Sequence, residues 1–198
     1  MVVTTPAGIA TIDMRTRRNT LILPRPTAKI LMVGRKSSRL WYIDEIGGQA
    51  NPLGEWMVAA EMYHPRTGRP LTFAEQKEVR INQRLEQRPP MTLFVVDVAS
   101  GARRDVHHAT DWLNHLQFFS PTEPNQILFC HERPWHKVDR IWTIRTDGLA
   151  LSKIHTRTMN MEIAGHEFFS QDGGHLVFRS NMHGEIHTYA VALDEARP

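Results

Sequence analysis

The sequence predicts an all-β fold, a β-propeller of about four blade-like repeats, interrupted by one helical insertion. Three observations carry this. The segments RLWYIDEIGG around Trp41, TLFVVDVASG around Phe94, RIWTIRTDG around Trp142 and IHTYAVALD around Tyr189 each read as an aromatic-bearing strand closing on a polar turn. Their spacing, roughly 50 residues, is the period of a propeller blade. HLQFFSPTEPNQILFC and HEFFSQDGGHLVFRS form a second, offset repeat of strand, turn rich in Ser, Pro, Asp or Gly, and strand. An antiparallel sandwich with evenly spaced turns has the same composition and remains the alternative.

Residues 72–88, TFAEQKEVRINQRLEQR, break the strand pattern. Helix formers dominate them, Thr72 and Glu75 are spaced as a capping box, and Pro89-Pro90 ends the stretch because proline has no N–H and clashes with the preceding turn. A helix inserted between strands is expected, its charges forming a solvated face rather than a partner-binding surface. Residues 1–25 and the final EARP carry little to bury and are expected to be poorly anchored. The chain of 198 residues is read as one domain, 1–198.

Composition excludes several classes. Hydrophobic residues make up 41% and charged residues 23%, as in a globular protein, and no apolar run approaches the roughly 20 residues that span a bilayer. The N-terminus lacks a basic region followed by an apolar core, so a cytoplasmic location is expected, with no membrane partner. One cysteine, Cys130 in the apolar run ILFC, cannot form an internal disulfide and is read as a small buried hydrophobe rather than a catalytic thiol. The net charge of +3 and pI of about 9.3 favour an acidic ligand. Nucleic acid is not expected, because no Lys/Arg block, helix-turn-helix pattern or RNA-binding aromatic motif is present.

The chemistry concentrates between Asp111 and Phe169, where His, Arg and Trp crowd between short apolar runs. Alternation of apolar residues with anything soluble satisfies a strand, so His131, Trp135, His136, Arg140 and His166 call for a reason beyond folding. Histidine takes a proton near neutrality, arginine matches a carboxylate in shape and charge, and tryptophan offers a flat face to a sugar ring. Together they suit an anionic sugar. A zinc-protease reading of HERPWH fails, since its spacing is HExxxH and Pro134 would break the helix such a motif requires.

HLQFFSPTEP, FCHERPWHKVDRIW and IHTRTMNMEIAGHEFF resemble the motifs of oligogalacturonate lyases, bacterial β-propeller enzymes that cut short pectin fragments by β-elimination; the resemblance covers Met91 to Phe169. It implies a seven-bladed propeller, an oligogalacturonide as substrate, and a bound manganese (Mn2+). It places His166 on the catalytic base and Arg140 on the catalytic arginine. Taken alone, His166 would be a core or turn histidine, and Arg140 a strand arginine paired with Asp139 or Asp147. His131, Trp135 and His136 are read as lining the same cleft, with Arg157 a weaker candidate for the substrate carboxylate.

Members of that family are nearly twice as long. Here GHEFFSQDGG runs directly into HLVFRSNMHGEIHTYAVAL, similar to the family's closing blade, so several blades, with the metal-bearing segments, are expected to be missing. No metal ligand is assigned; His175, His183 and His187 read as strand and turn residues. An open propeller exposes strand edges, which predicts self-association. The alternative function is a non-catalytic propeller fragment acting as a binding or scaffold module.

Overall fold

A computed structural model describes residues 2–5, 7–24, 29–33, 39–45, 64–88, 90–97, 99–119, 126–132 and 134–193. The terminal EARP and the whole of SPTEP, residues 120–124, lie outside them. Among the described residues the fold is all-β with one helix, and the strands fall into four antiparallel sheets.

β1 (Val2–Thr5), β2 (Gly8–Ile12) and β3 (Asn19–Pro24) form the first sheet. This corrects the expectation of a loose N-terminal segment, because Ile9, Ala10 and Ile22 are buried and β2 pairs along its length on both sides. The alternation of GIATI with polar neighbours was too short to stand out from a terminus.

β4 (Lys29–Val33), β5 (Arg39–Glu45), β6 (Met91–Asp97) and β7 (Arg103–Ala109) form the second sheet, with α1 (Phe73–Gln87) inserted between β5 and β6. The helix starts as its residues dictate: Glu75 accepts the Thr72 N–H at 2.8 Å, the Thr72 hydroxyl accepts the Glu75 N–H at 3.4 Å, and Arg69 clasps the Glu75 carboxylate at 2.6 and 2.9 Å. Its face is not wholly solvated. Ile81 enters the core, Lys77 Nζ sits 5.0 Å from the Trp135 ring centroid, and Asn82 Oδ1 accepts a hydrogen bond from Lys137 at 2.7 Å.

β8 (Leu113–Phe119), β9 (Gln126–His131), β10 (Ile141–Arg145) and β11 (Ser152–Lys153) make the third sheet; β12 (Ile163–Phe169), β13 (His175–Met182) and β14 (Glu185–Ala192) make the fourth. Phe94, Trp142 and Tyr189 each lie on the third strand of their sheet. Trp41 does not belong to that series. Its strand β5 is hydrogen-bonded to β6, with Tyr42 opposite Phe94, and the helical insertion between these two strands stretches their separation to a blade-like spacing. The fourth sheet of the set is the N-terminal one instead.

The third sheet is covered on both faces. Side chains alternate across a strand, so Ile127 and Phe129 of β9 join Leu93 and Val95 of β6 in one core, while Leu128 turns the other way to meet Ala164, Leu176 and Phe178. That explains the unbroken apolar run ILFC, which a strand exposed on one face would not need.

Turn glycines bring successive sheets close. Gly148, at φ 87°, follows β10, and a Cβ there would stand 2.9 Å from the Val106 carbonyl oxygen of β7; Gly101, at φ 73°, approaches the Ile22 oxygen of β3 in the same way. Gly148→Ala is expected to cost about 2 kcal/mol or more, combining left-handed strain with a backbone collision. Gly68→Ala, where φ is 65° but nothing lies within 4 Å, should show the strain alone, about 1 kcal/mol. Urea unfolding of the two variants separates these contributions, and equal losses would refute the close approach. No helix among the described residues is long and apolar enough to cross a membrane.

Candidate active site between the third and fourth sheets

The sequence HLQFF and its echo HEFF fold into matching irregularities. In β8 the pairing jumps from Asn114 opposite Cys130 to Gln117 opposite Leu128, leaving His115 and Leu116 against Phe129. In β12 it jumps from Gly165 opposite Arg179 to Phe168 opposite Val177, leaving His166 and Glu167 against Phe178. Both histidines have positive φ, 51° and 55°, and both are exposed, whereas the following Leu116 and Glu167 are buried. A bulge of this kind bends a strand and re-aims one side chain out of the alternation. A non-glycine residue held in that conformation is a strained position that the surrounding pairing must maintain.

Arg140 lies between the two bulges. It is 7% exposed; its Nη1 donates to the Ala164 carbonyl at 2.5 Å, and its Nη2 donates to Glu132 at 3.0 Å, with the Cys130 sulfur at 3.7 Å. Gly165 leaves room for the guanidinium, because a Cβ there would be 2.6 Å from Nη1 and would force it to shift. The guanidinium is thus pressed beneath the residue that precedes His166. Arg140 is not paired with Asp139 or Asp147: Asp139 bonds the Arg157 N–H and Lys153, and Asp147 bonds Arg145.

Glu132 ties the cluster together, with Arg140 at 3.0 Å, His115 Nε2 at 3.2 Å, the Trp135 indole N–H at 2.7 Å and the Cys130 thiol at 3.4 Å. Burial pushes its carboxyl upward, but hydrogen bonds from His115 and Trp135 and the charge of Arg140 prevail and bring it to about 2. The bond to Glu132 in turn raises His115 above the ordinary imidazolium range, against the opposing effect of partial burial. Burial keeps the Cys130 thiol well above its usual range and therefore protonated. Gln117 donates through Nε2 to the Glu167 carbonyl, joining the bulges directly.

The other expected site residues are placed less openly. His131 stacks on Trp142, ring centroids 4.9 Å apart at 19°, as part of the packing at the end of β9. Trp135 is 37% exposed in the loop before β10, held by Glu132 and covered by Lys77. The His136 carbonyl accepts the Arg157 guanidinium, while the Arg157 N–H binds Asp139 at 3.0 Å, so Arg157 clasps the loop. His115, Gln117, Glu132 and Glu167 were not singled out from the sequence. The offset repeat held the signal for His115, since it aligns that residue with His166.

Among the described residues, His115, Cys130 and Glu132 form the sole group of three or more His, Cys, Asp or Glu side chains with ligand atoms within 4.8 Å of one another. It does not suit manganese. That ion prefers carboxylate, carbonyl and water oxygens, whereas this group offers a protonated buried thiol and a carboxylate already bound to a guanidinium. His175, His183 and His187 join no cluster of three or more such ligands among the described residues; His187 pairs with Glu185 at 3.5 Å and its ring lies 6.4 Å from that of Tyr189.

Comparison with known proteins bears on the family of the chain. The chain is 30% identical over 107 residues to an oligogalacturonide lyase of Pectobacterium atrosepticum, covering 54% of this chain and 27% of that protein. An oligogalacturonate lyase structure from Vibrio parahaemolyticus superimposes with a TM-score of 0.69 at 23% identity, covering 96% of this chain and 46% of that one. An oligogalacturonate lyase in complex with manganese gives a TM-score of 0.68 at 22% identity, with the same coverages. The chain therefore spans less than half the length of these relatives. Residues 54–197 match the family model of oligogalacturonate lyase, and the chain belongs to that family.

Proposed function

We propose that the chain is an oligogalacturonate lyase in which His166 removes the C5 proton of a galacturonate while Arg140 stabilises the charge that builds on the neighbouring carboxylate. The C5 proton is weakly acidic, so a positioned base and a nearby cation are both needed to reach the transition state. The observation that carries this reading is the contact of the Arg140 guanidinium with the Ala164 carbonyl and Gly165, one residue from the exposed His166. Electron flow from the C5–H bond forms the C4–C5 double bond and expels the C4 oxygen. By the resemblance, Trp135, His136 and His131 would meet the sugar, while Arg157 would act by holding the loop that carries His136. No step is routed through manganese, for which the described residues supply no fitting ligand set.

The second, third and fourth sheets, stacked through shared cores, fit a propeller arrangement of blades in a single domain. The outer strand β14, where Ile186 is 68% exposed, is the edge on which a further copy or blade would pair. A cytoplasmic setting suits the lone buried thiol.

A second reading, a binding module without turnover, is favoured by the burial of Arg140 and the absence of fitting metal ligands among the described residues. Incubation with di- and trigalacturonate, with and without manganese, decides between them. The lyase reading expects the near-ultraviolet absorbance of the conjugated product. Folded protein that binds the oligomer without forming it would favour the second.

A further inference from the structure

The proposed elimination leaves one proton unassigned. A sugar alkoxide is a poor leaving group, and the oxygen departing from C4 needs a proton as the bond breaks. Neither His166, which accepts one, nor Arg140, which cannot release one, supplies it. Resting on the lyase reading above, we propose that His115 is the general acid that protonates the leaving oxygen, so that the two bulge histidines act as an acid and base pair on either side of Arg140.

Three observations support this. His115 occupies in β8 the position that His166 occupies in β12, with the same two-residue bulge, a similar positive φ and the same exposure. The environments of the two differ in one respect: His115 Nε2 is bound to Glu132 at 3.2 Å, whereas no carboxylate pairs with His166 among the described residues. A histidine held by a carboxylate keeps its proton and serves as the acid; its unpaired counterpart serves as the base. Finally, Glu167, the second residue of the His166 bulge, is 5% exposed and its Oε1 has no hydrogen-bond partner among the described residues, yet its charge bears on His115. A buried carboxylate oxygen without a hydrogen-bond partner beside an imidazolium stabilises the protonated form and links the bulges electrostatically.

The step balances. The C5 proton passes to the His166 imidazole, its electron pair forms the C4–C5 double bond, the C4–O bond breaks, and the His115 proton passes to the departing oxygen. His115 leaves as neutral imidazole and His166 as imidazolium, and solvent restores both. Glu132 is a positioning residue: by binding Nε2 at 3.2 Å it leaves Nδ1 as the nitrogen that can give up its proton.

The test compares two substrates, digalacturonate and a galacturonide carrying 4-nitrophenol at C4, whose phenolate departs without protonation. His115→Ala and His115→Gln are expected to lose roughly 10²-fold or more on digalacturonate but less than tenfold on the nitrophenyl substrate. The ratio of the two rates within one sample is independent of how much protein is folded, so partial misfolding of a variant does not obscure the result. Glu132→Gln is expected to move the alkaline limb of the kcat/KM profile to lower pH, since it removes the charge that holds the proton on His115, with Glu167 and Arg140 the other charged groups facing it. Equal losses on both substrates would overturn the proposal and leave His115 as a binding residue. A wild-type chain inert on both would overturn the lyase reading first, and the acid role with it.

Discussion

Replacing His166 with alanine is expected to lower the rate of unsaturated product formation by a factor of roughly 10² to 10⁴, the usual worth of a positioned general base. The fold should survive the change. The side chain is exposed, the strand pairing around it runs through backbone groups, and the bulge is held from below by Leu176 and Phe178 rather than by the imidazole. A loss of activity with unchanged urea unfolding would therefore report chemistry. Arg140→Lys should be nearly as damaging for a different reason. The guanidinium reaches the Ala164 carbonyl with one nitrogen and Glu132 with the other, and an ammonium is a single point that cannot hold both with that planar spread. Retention of more than a tenth of wild-type activity in His166→Ala would move the base elsewhere, and His115 would be the first place to look.

The contrast between these two residues explains how far the sequence could be read. Strands reveal themselves through period-two alternation and turns through glycine, aspartate and proline, so β8, β9, β10, β12, β13, β14 and the capped helix were legible, as was the burial of Cys130 within ILFC. Pairing between strands is not written in the same way. Trp41 and Phe94 stand a blade apart in sequence but adjacent in one sheet, because the helical insertion fills the interval, and nothing local distinguishes that from a true repeat. Bulges are equally silent: a period of two predicts one face for His166, and the structure turns it outward by adding a residue. Glu132 shows the remaining limit. It sits in the motif that drew attention to His131, Trp135 and His136, but its importance arises when His115 of β8 meets it beside Trp135 and Arg140 of its own loop, which only the fold brings about.

The largest stability effect is expected at Glu162, and it carries a pH signature. This carboxylate is fully buried and accepts the Thr158 N–H at 2.6 Å, the Thr158 hydroxyl at 3.1 Å, the Ser180 hydroxyl at 2.8 Å and His155 Nε2 at 2.5 Å. His155 is fixed in turn by the rings of Phe178 and Tyr189, 5.0 and 6.2 Å away between centroids, so the network ties the loop before β12 to the face of the fourth sheet. Burial pushes Glu162 upward, but the donors around it prevail and bring its carboxyl down to about 2 from the ordinary 4.5. A carboxyl lowered in the folded state stabilises that state fully above its unfolded value, and the contribution fades as pH falls from about 4.5 toward 2; the linked free energy is about 3 kcal/mol. Glu162→Ala should therefore destabilise the protein by about 3 kcal/mol near neutrality, with Ser180 left buried and unpaired. Unfolding curves at pH 7, 5 and 4 should show the gap between wild type and variant constant over the first two and narrower at the third. A gap that widened on acidification would mean that the buried carboxyl is protonated in the folded protein and that the Thr158, Ser180 and His155 contacts do not hold it as an anion.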